Sequence, residues 1–96
     1  MAGMERIEVE LFSHPGNNAV VRMPGRLFPG VLIQGDSLSN LRHEVARVVE
    51  ACTRGEMNEA REGSACVLAD LDALLEDYST ALRDHDIPLP FPQPEI

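Results

Sequence analysis

The residues of this chain whose types could support chemistry are His14, His43, His85, Cys52, Cys66 and a series of carboxylates that includes Asp70, Glu76 and Asp77. Ser13-His14 suggests a nucleophile with its base, but neighbouring side chains of an extended segment point to opposite faces, so adjacency does not bring hydroxyl and imidazole together. His43 falls beside the apolar positions of a helical pattern. His85 falls at the end of another, where positive charge suits the helix dipole; all three histidines read as surface residues rather than bases. Cys52 and Cys66 stand at different distances from the bend expected at Gly55, so a helical hairpin does not oppose them, and no histidine lies at zinc-ligand spacing. They read as two small, half-buried apolar side chains. Asp70 and Asp77, with Glu76, lie two helical turns along one face. Such carboxylates can hold a metal or share a proton, but without a histidine companion, and on the side expected to lie opposite the apolar seam, they read as a solvated stripe. Gly30-x-x-x-x-Gly35 lacks the Lys-Ser/Thr that completes a phosphate-cradling loop. The side chains thus predict no catalytic centre, metal or cofactor.

The elements that position these residues follow from periodicity. Residues 5–12 alternate, with Ile7, Val9 and Leu11 on one face and Glu8 and Glu10 on the other, which predicts a strand. His14 to Asn18 supplies turn residues, residues 19–23 a second strand, and Pro24-Gly25 a break. Pro29-Gly30 announces a third strand over 30–34. Its successive Val31, Leu32 and Ile33 imply either that both faces are covered or that one is a patch used for association. Gly35-Asp36-Ser37 leads into a helix over 37–54 with Asp36 or Ser37 as its cap, an apolar stripe from Leu38 to Cys52, and Gly55 as its stop. A second helix over 56–85 carries a seam of Met57, Ala60, Ser64, Val67, Leu71, Leu75, Tyr78 and Leu82; the seam keeps its phase across Gly63 and favours one continuous helix over a break capped by Ser64. The longer second helix must overhang the first or bend. A proline-rich tail over 87–96 cannot be helical; Leu89 and Phe91 are expected to pack back on the domain, the alternative being a proline-rich ligand for another protein. The result is one α+β domain spanning 1–96, a three-stranded antiparallel sheet packed on a helical hairpin in the order β-β-β-α-α.

Charge is unevenly placed. The net charge is −8, yet residues 1–55 hold six acids and six arginines, whereas residues 56–96 hold ten acids against Arg61 and Arg83. Such a field disfavours nucleic acid and anionic membranes as partners and favours a basic protein. Plain solubility is the competing account of the same charges. No window approaches the roughly 18–20 apolar residues of a membrane span, and no hydrophobic signal region opens the chain, so a cytoplasmic protein is expected.

One stretch resembles a known family. Val20-Val21-Arg22, Phe28-Pro29-Gly30, Val31 to Ile33, Gln34-Gly35-Asp36-Ser37-Leu38 and the helix that follows are similar to the core signature of HicB-like antitoxins, and Asp86-Ile87-Pro88-Leu89-Pro90 resembles the end of their domain. The resemblance implies a sheet on helices in a partial double-stranded-RNA-binding-type fold, and neutralisation of a small basic ribonuclease toxin by direct binding. The Met23 to Leu27 turn and the second helix are longer than in that family. The DNA-binding module that many members carry has no counterpart in these residues. The expected function is therefore a non-enzymatic, acidic protein-binding module, an antitoxin or immunity protein that covers a basic toxin through Asp70, Asp72, Glu76 and Asp77. The alternative is a small homo-oligomeric structural or regulatory protein. A homodimer, joined through apolar surface left by the sheet and the overhanging helix, is expected in either case.

Overall fold

The computed structural model describes residues 3–13 and 18–92. Residues 1–2, residues 14–17, where the sequence predicts a turn that includes His14, and residues 93–96 lie outside these. Strands β1 (Glu10–Leu11), β2 (Asn18–Arg22) and β3 (Gly30–Ile33) form an antiparallel sheet in that order, followed by α1 (Gly35–Thr53) and α2 (Met57–Asp84). The β-β-β-α-α architecture expected from periodicity is the one observed.

The first strand is much shorter than its alternating pattern. Glu10 pairs with Arg22 and Leu11 with Val21, so continuing the register would place Glu8 against Pro24, which has no N–H to give. The chain instead turns at Met23 to Arg26, closed by the Arg26 N–H to the Met23 carbonyl at 3.1 Å, with Gly25 at φ 78°. A hydrophobic period of two thus extends beyond its backbone partner, and Ile7 and Val9 remain exposed.

The cap of α1 also differs from expectation. Gln34, still extended, is the N-cap; its carbonyl accepts from Leu38 N–H at 2.9 Å, and no side chain caps the helix. Asp36 lies inside the first turn, where its carboxylate accepts from Ser37 N–H at 2.8 Å. It serves the helix through the dipole rather than as a cap. At the other end Gly55, at φ 75°, closes a Schellman turn in which Glu56 N–H reaches the Ala51 carbonyl and Gly55 N–H that of Cys52. The same turn ends α2, with Asp86 at φ 55° in the glycine position and Ile87 N–H on the Leu82 carbonyl at 2.9 Å.

The α2 helix runs unbroken through Gly63 for 28 residues against 19 in α1. Its last turns overhang α1 and lie on the sheet: Tyr78, Ala81 and Leu82 enclose Val20, with Phe12, Val31, Ile87, Leu89 and Phe91 around them. The Tyr78 hydroxyl donates to the Pro29 carbonyl at 2.8 Å, and Phe91 stacks on the Tyr78 ring at 5.9 Å. The described part of the tail therefore packs back on the domain. The rest of α2 pairs with α1 alone, closely where Ala51 and Ala60 are buried.

Gly63 is the point of closest approach, since a Cβ there would stand 2.7 Å from Cγ2 of Val48. Val48 is β-branched and stiff at χ1, so it cannot swing aside. Gly63→Ala gains about 1 kcal/mol of helix propensity but overpacks by ~1–3 kcal/mol. The variant should melt below the wild type by calorimetry; a higher melting temperature would place the helices further apart.

Candidate functional site

The carboxylates of α2 do not share one face. Asp70 and Asp77 lie beside α1, in a crevice completed by Asn18, Ser37, Asn40 and Glu44. This corrects the expectation that they lie opposite the seam: the α1–α2 contact is offset to their flank, because Gly63 and Ala60 rather than Leu75 sit deepest against α1. Asp72 and Glu76, about 100–200° around the helix from that pair, are exposed on the outward side. All four remain on the surface, but as two sets.

The crevice adds a residue that spacing alone did not single out. Glu44 Oε2 is buried with no hydrogen-bond partner among the described residues. Its neighbour is Asp70, whose carboxyl favours the protonated form of Glu44 and so raises the Glu44 pKa above its ordinary value, with burial and the Asp70 charge adding to the rise and Arg47 opposing it. With Val48 facing Gly63, Glu44 comes level with Val67, about one helical turn before Asp70.

The remaining candidates have structural partners. Ser13 Oγ accepts from Val20 N–H at 2.9 Å and so ties the first hairpin together. His43 Nδ1 lies 3.2 Å from the Ser39 carbonyl and His85 Nδ1 2.8 Å from that of Ala81, so each ring donates to its own helix. His85 also meets the Phe12 ring edge-on at 4.9 Å. Cys52 and Cys66 are free and exposed, not half-buried as expected, because the hairpin has no third layer over either flank. Among the described residues no three His, Cys, Asp or Glu side chains gather as metal ligands, and no helix is long and apolar enough to cross a membrane.

Ion pairs fall where the arginines are. Arg22 holds Glu10 through two contacts of 2.7 and 2.9 Å, which keeps the Glu10 carboxyl below its usual range. Arg54, in the hairpin bend, reaches Glu50 at 2.6 Å, Glu56 at 3.0 Å and Glu59 at 3.6 Å. Among the described residues none of these pairs involves Asp70, Asp72, Glu76 or Asp77. A second open surface is apolar: Val45 and Val48 of α1, with Ser64, Val67, Leu68 and Leu71 of α2, line a shallow groove on the flank opposite Asp70.

Because the folded pKa of Glu44 is raised, its favourable contribution is complete below the unfolded carboxylate pKa and is lost as pH rises through the folded value. Glu44→Gln should match the wild-type melting temperature near about pH 3 and exceed it at about pH 7. A variant less stable at neutral pH would show that the ionised Glu44 is stabilising instead.

No curated protein and no solved structure is significantly similar to this chain. A family pattern matches residues 4–91, from the unpaired segment before β1 through α2 to Phe91 in the tail, and so covers the sheet, the hairpin and the crevice together. The chain belongs to this family, a family of unknown function (DUF6959).

Proposed function

We propose that this chain is a non-enzymatic protein-binding module that covers a basic protein partner with the acidic surface of α2. One observation carries the reading. From Glu62 to Leu82 the helix bears Glu62, Asp70, Asp72, Glu76 and Asp77 and no basic side chain, and the intramolecular ion pairs among the described residues leave Asp70, Asp72, Glu76 and Asp77 uncompensated. An acidic helix of this kind, charged on both sets of positions, raises encounter rates with a positive patch and repels nucleic acid. Neutralisation of a basic toxin in the cytoplasm, as the HicB-like stretch from Val20 to Leu38 suggests, is the specific form we favour. That stretch forms β2, the following turn, β3 and the start of α1, the scaffold that carries α2.

A second reading, a homo-oligomeric structural module, is favoured by the open apolar flank of the hairpin. Capture of partners from the native host separates the two. With a basic partner in hand, the triple variant Asp70→Arg, Glu76→Arg, Asp77→Arg should slow association by about tenfold or more at low salt. Its melting temperature should not fall below that of the wild type, since these side chains make no ion pair to lose and an arginine at position 70 would relieve the Glu44–Asp70 contact. Association that is unchanged, and insensitive to salt, would move the interface to the sheet or the tail.

A further inference from the structure

We infer that the apolar flank of the α1–α2 hairpin is covered by a second copy of this chain, giving a two-fold symmetric four-helix bundle. The first observation is area. A folded monomer of 10.6 kDa is expected to expose about 5,500 Å². This chain exposes 7697 Å². Its Cα radius of gyration is 16.7 Å, where a compact domain of this length has about 12.5 Å. The excess, about 2,200 Å² over the whole chain, includes the exposed Met4, Ile7, Val9 and Leu27 outside the hairpin; the ~800 Å² that each partner contributes to an ordinary stable interface is about a third of it.

The second observation is the share of that surface that the hairpin carries. The sheet covers only the last turns of α2, so the hairpin from Leu38 to Leu75 stands as two helices without a third layer. Val49 and Leu68 are 59% and 50% exposed, and Val45, Leu71 and Leu75 are also exposed. Two helices with one shared apolar flank are half of a four-helix bundle. The acidic crevice lies on the other flank, so two copies can meet without bringing Asp70 and Asp77 together.

The third observation is the rim. Helical spacing puts Arg42 on the outer edge of this flank in α1, and Asp72 on the opposite outer edge in α2 at nearly the same height. A two-fold axis parallel to the helices lays α1 on the partner's α2, which sets Arg42 beside the partner's Asp72. The edges are complementary to themselves, as an isologous contact requires.

Sedimentation equilibrium of the full chain tests the inference without reference to any other partner. Wild type at high micromolar concentration should have twice the chain mass, and its melting temperature should rise with concentration. The double variant Val49→Glu, Leu68→Glu should sediment at the chain mass with its helical circular dichroism retained. Leu32→Glu, on the outer face of the sheet, should remain dimeric. Arg42→Glu should weaken the dimer by about threefold, and addition of Asp72→Arg should restore it. These two rim residues are exposed, so this pair keeps the test meaningful if the apolar variant unfolds. A wild type of chain mass at every concentration would overturn the inference. So would a dimer indifferent to Val49→Glu, Leu68→Glu, or one abolished by Leu32→Glu alone. Failure of Asp72→Arg to rescue would overturn the parallel axis.

Discussion

The fold depends on one junction, the seating of Tyr78, Ala81 and Leu82 of α2 on Val20 of β2. Leu82 and Val20 are the two largest side chains fully withdrawn from solvent. The Tyr78 hydroxyl, whose pKa burial raises further above its ordinary value, donates to the Pro29 carbonyl just before β3. The junction fixes the sheet, the last turns of α2 and the tail at once, since Ile87, Leu89 and Phe91 close over it from the far side. A strand pairing of two residues in β1 could not hold the sheet together alone; apolar burial beneath the sheet supplies what the short ladder lacks.

What lies beyond the junction is a hairpin supported only by itself. Its closed end is built of small residues, Ala51, Ala60 and Gly63, which let the helices approach where Val48 fills the gap. Nearer the sheet a crevice lies beside the contact between the helices, and Glu44 faces Asp70 there. The two flanks then differ in character: Glu44, Asp70 and Asp77 on one, valine and leucine on the other, with Asp72 at the outer edge of the apolar one. The proposed basic partner is assigned to the acidic surface and the inferred second copy to the apolar flank, and Asp72, at the rim of that flank, is the residue the two contacts would share.

Much of this was legible in the residues. The three-and-four spacing from Met57 to Leu82 specified a long helix, and Gly55 its separation from α1, because both signals are local and strong. The turn at Pro24-Gly25 was equally plain, yet its effect on β1 was not. A strand ends where its partner ends, and only the register of Glu10 against Arg22 shows that Glu8 would meet a proline. The displaced cap has a similar cause, since Gly35 is free to enter the helix and leaves Asp36 one position too late. The acidic residues were identifiable as a group from charge counting, but their division into two sets depends on the offset with which α1 meets α2. That offset is a tertiary property, set by the close approach at Gly63, and no periodicity in α2 alone contains it.

Native-state hydrogen exchange on dilute protein tests the central role of the junction most directly. The account predicts the slowest exchange in the amides of α2 around Tyr78 to Leu82 and in β2 around Val20, with the hairpin amides of α1 and of α2 before Leu75 opening at lower free energy. Slowest exchange in the hairpin, with the strands and the end of α2 opening first, would contradict it.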